Sequence, residues 1–287
     1  MTAHATPPLT GHWPLPAPTA STVSAHALAN ARRLAEAVAR NTGTWLQQQR
    51  HRISGLAVHS KQAGDVASVI DTEAEARLRG ALLPLWPGAG FHGEESGGTP
   101  LDAAAVWVVD PLDGSANYLR GYPQYAVSIA LLLHGEAVLG VVHDPCRGET
   151  FSAARDAGAT LDGRPLVCAS GTDAIKALAA TVFPKPRARR MPTFLAELGR
   201  VLPALGGVRR SGAMTLELAY LAAGRIDAFW EHDMAPWDAA AALVMLREVG
   251  AVVVARDLRP VLHSASLAAC TPAIAPAFLP LLGDLPA

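Results

Sequence analysis

Residues 108–117, Val-Val-Asp-Pro-Leu-Asp-Gly-Ser-Ala-Asn, limit how this chain can fold more than any other stretch. Residues 106–109 read as a buried strand, and the residues after them read as that strand passing into a helix. Pro111 forbids one continuous helix across Asp110 and Asp113, because its nitrogen has no proton and its ring clashes with the preceding turn. Gly114 and Ser115 would then open a helix with free backbone N–H groups, where the helix dipole also favours an anion. Two carboxylates, an interposed carbonyl and a hydroxyl make a site for a hard cation and phosphate. Mg²⁺ takes one or two such carboxylates and shares its other positions with water and phosphate oxygens.

Around this run, helical and strand patterns alternate. Leu28, Ala31, Leu34, Ala35, Val38, Trp45 and Leu46 recur every three or four residues, which predicts a long amphipathic helix over 23–49. Residues 55–60 break the pattern. A second helix is expected to begin near Asp71, run through Leu78 and Leu82, and stop at Pro84 and Pro87. Residues 126–133 and 137–143 read as apolar strands joined at His134-Gly135-Glu136 into an antiparallel hairpin.

In the second half, strands are expected over 177–183, 227–230, 252–254 and 267–270, and helices over 193–202, 214–223 and 237–249. Pro236 suits the first position of the last helix, while Gly224 and Gly250 suit helix ends. Such interleaving implies a layered α/β or α+β architecture. Half of the 287 residues are hydrophobic, enough for a large core. No internal repeat or linker is present, so residues 23–287 are expected to form a single catalytic domain of two closely joined lobes. Residues 1–22 hold five prolines and no charged side chain, the composition of a disordered tail.

Several function classes are disfavoured. Twenty-four basic against twenty-five acidic residues leave a formal net charge of −1, without the basic footprint of a nucleic-acid binder. Arg187, Arg189 and Arg190 form a short patch of the kind that usually lies on a solvated loop. Cys146, Cys168 and Cys270 are far apart and lack Cys-x-x-Cys spacing, so neither a disulfide framework nor a zinc site is indicated. A reducing, cytoplasmic setting is expected. No apolar run reaches the ~18 residues needed to span a bilayer, and no secretion-signal pattern opens the chain. Neither nucleic acid nor membrane is therefore an expected partner.

Three further acids stand at structural boundaries: Asp71 entering a helix, Glu94 within His92-Gly93-Glu94-Glu95-Ser96-Gly97-Gly98, and Asp238 after Trp237. Singly, each has an innocent explanation as a cap, a loop decoration or a complement to a helix dipole. His92 and His143 lack ligand spacing and read as partly buried packing residues. His232 borders the expected substrate side. Trp107, Trp230 and Trp237 read as packing supports for the neighbouring acids.

Together, Gly-Glu-Glu at 93–95, Asp-Pro-Leu-Asp-Gly-Ser-x-Asn at 110–117 and Trp-Asp at 237–238 before an alanine-rich helix resemble the three signatures of the inositol monophosphatase family, in order. Gly-Tyr-Pro at 121–123, residues 163–166 in a strand turn, and Arg209-Arg210-Ser211-Gly212 extend the resemblance from about Asp65 to Gly250. It implies a five-layer αβαβα sandwich, commonly a homodimer, that hydrolyses phosphomonoesters with two or three Mg²⁺ ions and is inhibited by lithium. Carried over residue by residue, it makes Glu94, Asp110, Asp113, Asp238 and the Leu112 carbonyl the metal ligands. The phosphate would meet Leu112, Asp113, Gly114 and Ser115. Glu231, Arg209, Gly212, Ala213 and Asp238 would form the substrate side. Glu94 would position the attacking water, and the Ser115 hydroxyl, oriented by Asp71, would accept or steer its proton.

The chain departs from the family pattern in places. Ser115 stands where threonine is commoner, losing the methyl that restricts χ1, so its orientation must come from neighbours. Ala213 and Met214 replace small or hydroxyl residues, and Asp233 replaces a frequent glycine. The implied partner is a small phosphorylated polyol such as inositol monophosphate. Sibling substrates are histidinol phosphate, a 3′-phosphonucleotide or fructose 1,6-bisphosphate, and Asn117-Tyr118 favours the inositol branch. A second class of reading is a regulatory protein that binds transcription machinery.

Overall fold

The computed structural model describes residues 23–55, 58–62, 65–257 and 259–283; the expected N-terminal tail lies outside them. Helix α1, Ala25–Gln49, opens with Ser24, whose hydroxyl accepts the Ala27 N–H at 3.2 Å and so satisfies an orphan donor of the first turn. Strands β1 (Val58–Gln62) and β2 (Asp65–Ser68) form an antiparallel pair where the sequence suggested only a break. Helix α2 (Val69–Leu82) comes directly after, two residues earlier than expected, which puts Asp71 inside its first turn instead of at its cap.

The large sheet contains β3 (Gly90–Gly93), β4 (Gly97–Gly98), β5 (Val106–Asp113), β6 (Ala126–Leu133), β7 (Glu136–Asp144), β8 (Glu149–Ala154), β9 (Ala159–Leu161) and β10 (Arg164–Pro165). Its order is β10-β9-β8-β7-β6-β5-β3-β4, antiparallel except where β3 runs parallel to β5. Helix α3, Ser115–Leu119, leaves the end of β5. The small sheet contains β11 (Leu178–Thr181), β12 (Gly207–Arg209), β13 (Ala228–His232), β14 (Val252–Ala255) and β15 (Ser266–Cys270), in the order β12-β11-β13-β15-β14. Helices α4 (Met191–Ala204), α5 (Met214–Ala222), α6 (Pro236–Glu248) and α7 (Ala275–Phe278) complete the described elements.

The strands carry apolar residues at successive positions because both faces of each sheet are covered. Trp107, Val109, Val127, Ile129 and Leu131 face α1 and α2, packing with Leu28, Leu46, Ile70 and Leu78. Their neighbours Val106, Val108, Ala130 and Leu132 face the other way, joining Leu216 and Ala241 of α5 and α6, and Phe229 and Leu267 of the small sheet. Trp230 and Cys270 point to the far side of that sheet, onto Phe194, Val201 and Phe278 of α4 and α7. The two-residue side-chain period thus sorts the chain into five layers: α1/α2, large sheet, α5/α6, small sheet, α4/α7. This is the expected αβαβα sandwich.

Two close approaches set the centre. A Cβ on Gly140 of β7 would overlap the Ala241 carbonyl of α6, so the alanine face of α6 lies directly on the sheet. Pro111 lies inside β5 instead of ending it: pairing with β6 shifts register between Asp110 and Asp113, a bulge that accommodates the missing N–H. That irregularity turns the last residues of β5 out of the ladder. No helix among the described residues is long and apolar enough to cross a membrane.

Candidate active site

The four sequence-predicted acids reach one place from separate segments. Asp110 and Asp113 come from the irregular end of β5, Glu94 from the loop after β3, and Asp238 from the first turn of α6. Because β3 is parallel to β5, the Glu94 N–H can donate to the Val109 carbonyl at 3.1 Å, which sets Glu94 beside the Asp110 strand end. Asp110 is 2 % exposed. Burial pushes its carboxyl well above the ordinary carboxylate range, and the charges of Glu94, Asp113 and Asp238 push it further, against a lowering by the Leu112 N–H at 3.0 Å. All four acids therefore share one electrostatic field.

The fold also holds Asp113, Asp238 and the loop that carries Glu94. Asp113 Oδ2 accepts both the Thr215 N–H at 2.8 Å and the Thr215 hydroxyl at 2.6 Å, yet burial still raises its pKa from 3.8 to about 6. Asp238 Oδ2 accepts the Ala235 N–H at 2.7 Å, a capping bond where its position suggested a complement to the helix dipole. Glu95 N–H donates to Glu75 of α2 at 2.8 Å, and Gly93 leaves room for that carboxylate, since a Cβ there would collide with it. Glu75 and Thr215 are anchors that sequence reasoning misses: an acid or a threonine inside a helix looks like any solvated face until its burial is known.

Among the described residues, no three acidic, histidine or cysteine groups stand close enough to grip an ion as they are. They form a wider ring, with Asp113 and Asp238 each turned through one oxygen to a neighbouring amide. The chemistry of the set still suits a hard divalent cation. All the donors are oxygens, and the repulsion they bear is what such a charge cancels. The Leu112 carbonyl accepts the Ser115 hydroxyl at 3.0 Å, which occupies one of its two lone pairs.

That bond also settles how Ser115 is oriented. Its hydroxyl donates back to Leu112, because Ser115 is the first residue of α3 and the carbonyl three residues earlier is within reach. Asp71 is buried in α2, and its charge is felt by Tyr118 of the same short helix as Ser115. Gly114 precedes α3 at φ +89°, with the Gln124 carbonyl 2.9 Å and the Gly212 carbonyl 3.3 Å from where a Cβ would stand. Only glycine fits that turn. With five residues, α3 has a small dipole, so the free N–H groups matter more than the helix itself.

The substrate-side residues divide. Glu231, at the end of β13, is buried, and its carboxyl is raised well above its ordinary value by burial and by Asp238, Glu217, Asp113 and Asp233. It belongs to the acidic site. Ala213 caps α5 and is fully buried, and Gly212 holds φ +86° beside Asn117. Arg209 turns back on its own strand: it bends toward the Val208 carbonyl at 3.4 Å and lines a cleft of ≈180 Å³ with Gln124, Ser211, Glu217 and Tyr220. The arginine over Gly212 is Arg210, its guanidinium 3.0 Å from a Cβ built there and 5.3 Å from the Phe183 ring centre.

His232 points away from the acids, its Nε2 2.7 Å from Glu197 of α4, with Arg256 on the same carboxylate. His92 contacts the Thr99 carbonyl and tilts against Trp237 at 5.9 Å, while His143 contacts Thr150, both packing roles. Trp107 and Trp230 are fully buried supports. The three cysteines are free thiols.

Known proteins share this arrangement of sequence and fold. The model of the inositol monophosphatase family matches residues 21–285. An inositol-1-monophosphatase of Rhizobium meliloti is 41 % identical over 201 residues, 69 % of this chain and 75 % of that protein. A Nus factor SuhB of Pseudomonas aeruginosa is 37 % identical over 220 residues, 75 % of this chain and 81 % of that one. The crystal structure of the extragenic suppressor protein SuhB from Bartonella henselae superposes with a TM-score of 0.83 at 33 % identity, covering 88 % of this chain and 98 % of that one. Sequence signatures, layer order and relatives agree, and the chain belongs to the inositol monophosphatase family.

Proposed function

We propose that this protein is a metal-dependent phosphomonoesterase with inositol monophosphate or a similar small polyol phosphate as substrate and two or three Mg²⁺ ions as cofactor. One observation supports it most: Asp110 is buried within the field of Glu94, Asp113 and Asp238. Buried acids that repel one another are costly at neutral pH unless divalent charge lies among them. Glu94, Asp110, Asp113, Asp238 and the Leu112 carbonyl are the groups to hold it. When bound, Mg²⁺ supplies the positive charge that lets water attack a phosphate dianion and that stabilises the leaving oxygen.

The chain's own groups do the rest. Backbone N–H groups at Gly114 and Ser115 meet phosphate oxygens, and the close fit of Gly114 under Gln124 and Gly212 keeps that turn from shifting. Because the Ser115 hydroxyl donates to Leu112, its oxygen keeps lone pairs to accept a proton from an attacking water. The Asp71 charge, felt on the same helical turn at Tyr118, favours a proton arriving there. Glu94 orients the water. Glu231 and Asp238 face substrate hydroxyls, above Gly212 and Ala213.

The test is phosphate release from inositol monophosphate, histidinol phosphate, a 3′-phosphonucleotide and fructose 1,6-bisphosphate, with and without Mg²⁺ and Li⁺. We expect release that requires Mg²⁺, falls with Li⁺ and is fastest on inositol monophosphate; no Mg²⁺-dependent release from any of them would refute the reading. A homodimer in the cytoplasm is the accompanying expectation, checked by light scattering and fractionation. The relatives named Nus factor favour a second reading, a regulatory role in transcription. In that case Asp110→Asn would abolish hydrolysis without reproducing the phenotype of deleting the gene.

A further inference from the structure

We propose that Glu217 is a positioning residue for the phosphate-binding turn: by gripping the Ser211 peptide, it fixes residues 211–215 against Asp113, Gly114 and Ser115. The inference rests on the function proposed above for that turn. Glu217 is 2 % exposed in α5, and its Oε1 accepts both the Ser211 N–H at 2.8 Å and the Ser211 hydroxyl at 2.5 Å. One carboxyl oxygen, with two lone pairs, thus takes both donors of a single residue.

From Ser211 the linkage runs in two directions. Its carbonyl accepts the Asn117 amide at 2.9 Å, and that amide also donates to the Gln124 carbonyl at 2.7 Å. The Gln124 amide donates to the Ser211 hydroxyl at 3.2 Å, closing a ring around the turn. Gly114 lies between the Gln124 and Gly212 carbonyls, so displacement of either presses on the turn. In the other direction, two residues before Glu217, Thr215 holds Asp113 through its N–H and hydroxyl. One carboxylate thereby ties the start of α5 to both the acidic site and the N–H groups of the turn.

Stability alone does not account for an acid here. Glu217 Oε2 is buried without a hydrogen-bond partner, an arrangement that costs free energy. A residue whose only task was packing would be better neutral. Glu217 acts through Ser211 and Thr215, which is why its role is positioning and not catalysis.

Three variants test this: Glu217→Ala, Glu217→Gln, and Phe278→Leu as a control that loosens the core beyond the small sheet. Kinetics on inositol monophosphate, calorimetric binding of inorganic phosphate with Mg²⁺, and amide hydrogen exchange over 209–216 are compared. Glu217→Ala should raise exchange at Ser211 and Thr215 and weaken substrate KM and phosphate binding by about thirtyfold, with a smaller change in kcat, because the turn binds phosphate before and after reaction. Glu217→Gln keeps an acceptor for Ser211 and should recover to within about fivefold of the parent. Phe278→Leu should lower Tm while leaving exchange at 209–216, KM and phosphate binding unchanged.

Glu217→Ala indistinguishable from Phe278→Leu, or unaltered in exchange at Ser211 and Thr215, overturns the proposal. If Glu217→Ala does not fold, Ser211→Ala carries the same test, with a weaker loss of about fivefold in KM, because it removes the hydroxyl's bonds to Glu217 and Gln124 and leaves the Ser211 N–H on Glu217; an unchanged KM then overturns it. If the parent hydrolyses no phosphomonoester, the proposed function falls, and exchange with phosphate binding still decides the role of Glu217.

Discussion

Asp110 holds a sharp conflict, a buried carboxylate facing three others. Replacing it with asparagine keeps the shape and removes the conflict. Asp110→Asn should lower Mg²⁺-dependent kcat/KM by at least about a thousandfold, while the metal-free Tm holds or rises, because the cost of the buried charge disappears. A drop in both would mean the residue is structural. Thr215→Val is subtler: it removes the 2.6 Å hydroxyl bond to Asp113 and leaves the N–H bond, so the Asp113 pKa should climb above about 6. We expect Mg²⁺ affinity to fall roughly tenfold, read by titration, since a hydrogen bond to a charged group is worth ~1.5–3 kcal/mol. At this scale the sequence is legible where an acid stands beside backbone punctuation: Glu94 after Gly93, Asp110 and Asp113 around Pro111 and before Gly114, Asp238 after Pro236. Asp233 shows the same logic in reverse, adopting φ +68° where the family often has glycine. Glu75, Thr215 and Glu217 carry no such mark, because only the packing reveals what a helical side chain meets.

Elements place these residues through close contacts that a pattern of apolar spacing only partly conveys. The long helix α1, the β6–β7 hairpin and α6 are legible because their apolar periods run unbroken for two turns or more. The short strands are not. β3 is Gly-Phe-His-Gly and draws its pairing from parallel β5, while β8, β9 and β10 mix polar and apolar residues without a clear period and extend a sheet edge already begun by β7. Nothing local demands a strand there; the neighbouring ladder does. The alanine run of α6 is explained by Gly140, whose missing side chain lets α6 rest on the sheet and brings the Asp238 end of the helix to Asp110. Gly140→Ala should therefore cost on the order of 3 kcal/mol. It should also depress Mg²⁺-dependent activity more than its loss of Tm alone explains, because α6 carries a proposed ligand. Thermal melts alongside kcat/KM check both, and full activity in a destabilised variant would show that α6 moves without carrying Asp238 away.

For the whole molecule, a net charge of −1 conceals a local cluster of acids, Asp110, Asp113, Glu231 and their acidic neighbours, that burden one another. The consequence is a pH dependence whose sign is set by the direction of each shift. Asp110 and Glu231 are raised well above their ordinary values, Asp113 from 3.8 to about 6 and Glu217 from 4.5 to about 7, each chiefly by burial. An acid whose folded pKa exceeds its unfolded one binds its proton more tightly when folded. Stability from these groups is therefore greatest below about pH 4 and is lost as pH rises through 6 and 7. Glu149 and Glu197, lowered with Arg225 and with His232 and Arg256 as partners, are ionised in both states above about pH 5, so their contribution there is constant and adds no slope. His143, lowered by burial, acts in the opposite sense, favouring the folded state as pH rises, but it is one group against four. The metal-free protein should consequently melt on the order of 5 °C lower at pH 8 than at pH 5. Millimolar Mg²⁺ should recover most of that loss at pH 8 and little at pH 5, because the ion stabilises only the deprotonated acids. Melting curves across pH with chelator or Mg²⁺ measure both slopes. A chelated protein more stable at pH 8 than at pH 5 would mean that the acids are not in conflict and that the five layers enclose no site for a divalent ion.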